Sequence, residues 1–124
     1  MSKRILVVDD SKAMRLIVRR TLRQAGFGEC EVEEAANGVE ALAAIQKNRP
    51  DLVLSDWNMP EMNGYELLTQ IRDQQINVRL GFITTESTPE MTAKATDAGA
   101  LFLIAKPFTA EQFQSTLNPF LGSV

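Results

Sequence analysis

Residues 52–64 read LVLSDWNMPEMNG. Leu52, Val53 and Leu54 form an aliphatic run without polar alternation, as expected of a strand covered on both faces. Asp56 follows almost at once, with Trp57 beside it and Pro60 close behind. A carboxylate at the end of a dry strand is costly unless something neutralises it. The rest of the chain must therefore supply a partner for Asp56.

Working outward, further apolar runs recur at intervals of roughly 25 residues, the rhythm of βα units. Ile5–Val8, Leu80–Ile83 and Leu101–Ala105 read as buried strands. Cys30–Ala36 alternates polar and apolar residues and reads as a more exposed edge strand. Helical patterns lie between them. Over 11–25, Met14, Ile17, Val18, Thr21 and Leu22 form one stripe, with Arg15, Arg19 and Arg23 off it and Gly26 as a C-terminal stop. Asn37 with Glu40, and Thr109 with Gln112, resemble capping boxes. The second helix runs through Gln46, and the fifth carries Phe113, Leu117 and Phe120. Leu67, Leu68 and Ile71 face one way over 64–74. Pro89 suits a first helical turn after Ser87 and Thr88. The expected fold is α/β: a doubly wound (βα)5 domain over 1–124 with a five-stranded parallel sheet.

In open parallel sheets, ligands bind at the carboxyl ends of the strands. Asp9 and Asp10 follow strand 1, Asp56 follows strand 3, Thr84 and Thr85 end strand 4, and Lys106 follows strand 5. The fold gathers them from across the chain. Two like charges about 4 Å apart repel by roughly 4 kcal/mol at an effective dielectric of about 20. A divalent cation relieves that repulsion, and all-oxygen ligands select a hard ion, Mg²⁺. Metal, ammonium and hydroxyl around a carboxylate nucleophile suit a phosphoryl group. The residues alone do not choose between Thr84 and Thr85.

The composition excludes other classes. The 124-residue chain carries a net charge of −3, which argues against a nucleic-acid or anionic-membrane surface. It contains no histidine, so His-based catalysis and His metal ligation are out. The single Cys30 fits a reducing, cytoplasmic setting without an internal disulfide. No apolar run approaches the ~20 residues of a membrane span.

VVDDS, SDWNMPEMNG, ITTES and AKPF, in that order, resemble the receiver domain of two-component response regulators, especially its stand-alone CheY-like members. That likeness implies a flavodoxin-like sheet of order 2-1-3-4-5, the order of CheY itself. It implies Asp56 as phosphoacceptor. Asp10, Asp56 and the backbone carbonyl of Asn58 would ligate Mg²⁺, with Asp9 helping through a water. Lys106 and the Thr84 hydroxyl would contact the phosphoryl group, as would backbone N–H groups of Trp57, Asn58 and Thr85. The Lys106–Pro107 bond would be cis. A histidine kinase would donate the phosphoryl group to a monomer that assists its own phosphorylation and dephosphorylation. The surface of helix 4, strand 5 and helix 5 would then address an effector protein, in a chemotaxis-like pathway.

One position departs from the pattern. The aromatic switch residue expected three places before the lysine is Leu103, while its neighbour Phe102 points to the opposite face. Tyr65, the sole tyrosine, follows strand 3 and is not expected to substitute. Met59, Met62 and Phe108 read as packing residues, Gly64 as turn geometry and Cys30 as inert. Glu61 and Glu86 flank the site as solvated side chains. Other readings are a phosphate sink that competes for a kinase without its own effector, and an aspartate-nucleophile phosphohydrolase. The latter expects a carboxylate at Asn58 and a substrate cap. A flavodoxin-like electron carrier would need a phosphate-cradling loop where DDSKAM stands.

Overall fold

The computed structural model describes residues 3–85 and 88–122; Glu86 and Ser87 lie outside the described residues. The chain alternates strand and helix: β1 Arg4–Val8, α1 Lys12–Leu22, β2 Glu31–Ala35, α2 Gly38–Lys47 and β3 Leu52–Ser55. It continues with α3 Gly64–Asp73, β4 Leu80–Thr84, α4 Pro89–Ala98, β5 Leu103–Ala105 and α5 Ala110–Leu121. The five strands form one parallel sheet in the order β2-β1-β3-β4-β5, the expected doubly wound arrangement. No helix among the described residues is long and apolar enough to cross a membrane.

Period-two alternation divides the core. On one face Leu6, Val8, Val53, Leu80 and Phe82 meet α2, α3 and α4 through Ala41, Ile45, Leu67, Leu68, Ile71 and Ala95. On the other, Ile5, Val7, Leu52, Leu54, Ile83 and Ile104 meet α1 and α5 through Val18, Leu22, Phe113 and Leu117. The central strands β1, β3 and β4 are almost wholly buried, whereas β2 exposes its glutamates. Edge strands protect themselves with charge in this way.

Several local readings are sharpened. Thr109 and Gln112 form the reciprocal capping box. Asn37 accepts from the Glu40 N–H at 2.9 Å, but Glu40 reaches back to the Ala36 N–H, not to Asn37. Ile17 is exposed; α1 buries Val18, Thr21 and Leu22. Successive helical residues turn by about 100°, which carries Ile17 to the solvent margin of that arc. A π-type turn over Arg23–Phe27 extends α1, with Gly26 at φ +98°. That left-handed step is open to glycine at little cost. The fifth strand begins at Leu103, since Leu101 at the start of the run is in solvent.

Candidate functional site: an acidic pocket at the sheet edge

Asp9, Asp56 and Lys106 each follow a strand with the backbone still tied to the ladder. The Asp56 N–H donates to the Val8 carbonyl (2.8 Å) and the Asp9 N–H to Ala35 (3.1 Å). The Lys106 N–H donates to the Thr84 carbonyl (2.8 Å). The sheet register therefore sets where these side chains emerge. The Lys106–Pro107 peptide is cis, as expected.

Lys106 Nζ lies 3.3 Å from Asp9 Oδ2 and 3.7 Å from Asp56 Oδ2, joining β5 to β1 and β3. These side chains are only 11%, 6% and 13% exposed, so their charges act in a poorly screened setting. Asp9 Oδ1 also accepts from the Ser11 N–H at 2.9 Å. Asp56 Oδ1 accepts from the Trp57 N–H at 2.8 Å, and the Asn58 N–H bonds to the same carboxylate. Burial holds the Asp56 carboxyl above its ordinary value. Lys106 pulls it back, Asp9 pushes it up, and the two backbone N–H groups favour the ionised form.

Asp10 is exposed at the rim, and carboxylate oxygens of Asp9, Asp10 and Asp56 lie within 4.8 Å of one another. The cluster offers only oxygen donors and excess negative charge, which fits a hard cation rather than a soft one. Thr84 ends β4 fully buried, in register with Ala105, and Thr85 is exposed one step beyond. Leu103 packs on the α2–α4 side of the sheet and Phe102 on the α1–α5 side, as strand alternation requires.

Three contributors were not legible in the motifs. Arg15 Nη1 donates to the Asp9 carbonyl at 2.6 Å, while its Nε holds Glu34 at 2.7 Å. The charge match between the α1 arginines and the β2 glutamates was the available signal. Gly64 is not a left-handed turn residue but a close approach: a Cβ there would collide with the Asp56 carbonyl oxygen and the Phe82 ring. Its N–H donates to the Trp57 carbonyl at 2.9 Å, which seats α3 against the site. Tyr65 stacks on Trp57, a contact that sequence spacing does not encode.

Comparisons with known proteins agree with this architecture. A model of the response regulator receiver domain matches residues 5–118. Chemotaxis protein CheY-3 of Vibrio cholerae is 40% identical over 117 residues, spanning 93% of this chain and 88% of that protein. Sporulation initiation phosphotransferase F of Bacillus subtilis is 32% identical over 121 residues, 98% of this chain and 95% of that one. The solved structure of Vibrio cholerae CheY4 is similar at a TM-score of 0.85 and 40% identity, covering 98% of this chain and 100% of that one. The chain belongs to the response regulator receiver domain family, the phosphorylation-activated switches of two-component signalling.

Proposed function

We propose that Asp56 is the phosphoacceptor and that a histidine kinase is the donor. The reading rests on one observation: a largely buried carboxylate at the end of a rigid strand, bridged by Lys106 to a second carboxylate. In the transfer, an Asp56 carboxylate oxygen forms a bond to phosphorus as the phosphorus–nitrogen bond of the donor phosphohistidine breaks. The product is an acyl phosphate. Asp9, Asp10, Asp56 and the Asn58 carbonyl are the residues that would hold Mg²⁺, which when bound neutralises charge on phosphoryl oxygens. Lys106 leaves its bridge between Asp9 and Asp56 to meet a phosphoryl oxygen. Backbone N–H groups of Trp57, Asn58 and Thr85 stabilise the developing charge. The Thr84 hydroxyl turns toward the same group, and the site assists the later loss of the phosphoryl group to water.

The output is a protein contact on α4, β5 and α5, made by a single cytoplasmic receiver domain spanning 1–124 and acting as a monomer. A chemotaxis-like pathway is supported by the chemotaxis proteins among the relatives. Leu103 favours a second reading, a phosphate sink without its own effector, because the aromatic switch residue is missing. A pull-down with and without a beryllofluoride mimic of the phosphoryl group separates the two: a mimic-dependent partner supports the switch.

The direct test is intact mass spectrometry after exposure to a small acyl phosphate with Mg²⁺. The wild-type chain gains one phosphoryl group and Asp56→Asn gains none. Equal labelling of the two rejects the nucleophile assignment.

A further inference from the structure

Trp57 is 9% exposed and adjoins Asp56 in the chain, yet its ring is not held by the sheet alone. It lies 4.9 Å from Phe82 of β4 and stacks on Tyr65 of α3 at 5.6 Å, with only 26° between the planes. Lys94, exposed on α4, sets its ammonium 4.3 Å from the centre of the Tyr65 ring. A continuous line of contacts thus runs from the Asp56 carboxylate through the Trp57 N–H, the Trp57 ring and the Tyr65 ring to a cation on α4. β5 offers no such aromatic link at Leu103, which packs as an aliphatic core residue.

We propose that Tyr65 is a positioning residue for the acidic pocket, acting through Trp57, and that Lys94 makes this positioning depend on α4. The proposal rests on Asp56 being the phosphoacceptor. Tyr65 fixes the tilt of the Trp57 ring and hence of the Trp57 peptide, whose N–H points at Asp56 Oδ1. Lys94 favours the stacked position by its attraction to the ring face. Withdrawing Lys94, as a partner on α4 would, loosens the stack and reorients a donor at the site. Linkage requires the reverse as well: a change at Asp56 alters how readily α4 releases Lys94. This contact line is physically continuous, and a coupling measurement decides whether it carries energy.

The test compares initial rates of Asp56 labelling by a small acyl phosphate with Mg²⁺, using the full chain. The variants are Tyr65→Leu, Tyr65→Phe, Lys94→Gln and the Tyr65→Leu/Lys94→Gln double. Trp57 emission before phosphorylation is the second readout. Lys94→Gln is expected to slow labelling about two- to fivefold, the factor an exposed cation–π contact supports. Tyr65→Leu slows it at least as much and shifts Trp57 emission. Tyr65→Phe, which keeps the stack, restores both readouts. The double variant matches Tyr65→Leu, because Lys94 acts only through the ring. A Lys94→Gln effect of equal size in both backgrounds overturns the proposal, as does wild-type labelling in Tyr65→Leu. A wild-type chain that takes no label on Asp56 overturns this proposal together with the phosphoacceptor reading; a labelled wild type with an equally fast Tyr65→Leu overturns this proposal alone.

Discussion

At the amino edge of the sheet, Arg4 is surrounded by partners. Its side chain pairs with Glu31 and Glu33 and donates to the carbonyls of Asn48 and Arg49, while its backbone N–H binds Asp51. Both glutamates are well exposed, so water shares the solvation. At the carboxyl edge one cation again faces three carboxylates, but two of those carboxylates are largely buried. Three carboxylates crowd together, and Lys106 bridges the two buried ones. The same backbone thus carries a hydrated charge cluster at one edge and a largely dry one at the other. The first can only hold the sheet together; the second has unspent attraction for a cation or for a group that brings its own.

The sharpest way to break this contrast is to remove the cation from each edge. Lys106→Met is expected to cost about 3 kcal/mol at pH 7 without divalent ions, because it leaves buried carboxylates uncompensated. Arg4→Met is expected to cost only about 1 kcal/mol, since its partners are hydrated. Urea denaturation of both variants measures the difference, and equal losses would erase the distinction between the edges. Next in size is Gly64→Ala, expected to destabilise by about 2 kcal/mol through overpacking against the Asp56 carbonyl and Phe82. Its labelling rate should fall as well, because the same collision displaces the Asp56 peptide.

Mg²⁺ should stabilise the carboxyl edge alone. At ten times its dissociation constant, a ligand specific for the folded chain adds about 1.4 kcal/mol. A matching change in Trp57 fluorescence is expected, and a flat titration would remove the metal from this site. The smallest effect is that of Asp56→Asn, which removes the cost of burying a charged carboxylate, along with the repulsion from Asp9, and should slightly stabilise the metal-free chain at neutral pH despite the lost attraction to Lys106. Burial raises the Asp56 carboxyl in the folded chain above its ordinary 3.8, so the folded state holds that proton more tightly than the unfolded one. The wild type therefore loses stability as pH rises from about 4 through the raised value. Wild type and variant should converge in acid and diverge above that window; a constant gap across thermal melts at several pH values would contradict the shift.

Strand-end placement made Asp9, Asp10, Asp56 and Lys106 legible, because a parallel sheet converts sequence position directly into position along one edge. Buried strands announced themselves by unbroken apolar runs, and capping residues marked the start of α5. What stayed hidden depends on where elements meet. Ile17 fits a helical stripe by periodicity, yet the arc that docks is narrower than that stripe. Glu40 satisfies the capping-box spacing but spends its side chain on Ala36. The Arg15 bond to Asp9 and the stack of Tyr65 on Trp57 join separate elements, and no local pattern specifies such contacts. Gly64 was visible as a glycine, but the reason for it lay in how closely α3 approaches β3.

The turn that follows α3 carries Gln75 at φ +57°, exposed, before the chain enters β4 from the amino edge. Nothing in the acidic pocket is drawn from that turn. A peptide tag or a small folded insert spliced there would leave the strand ends that carry Asp9, Asp56 and Lys106 in register. That turn thereby offers an insertion point remote from the acidic pocket, at the opposite end of the sheet.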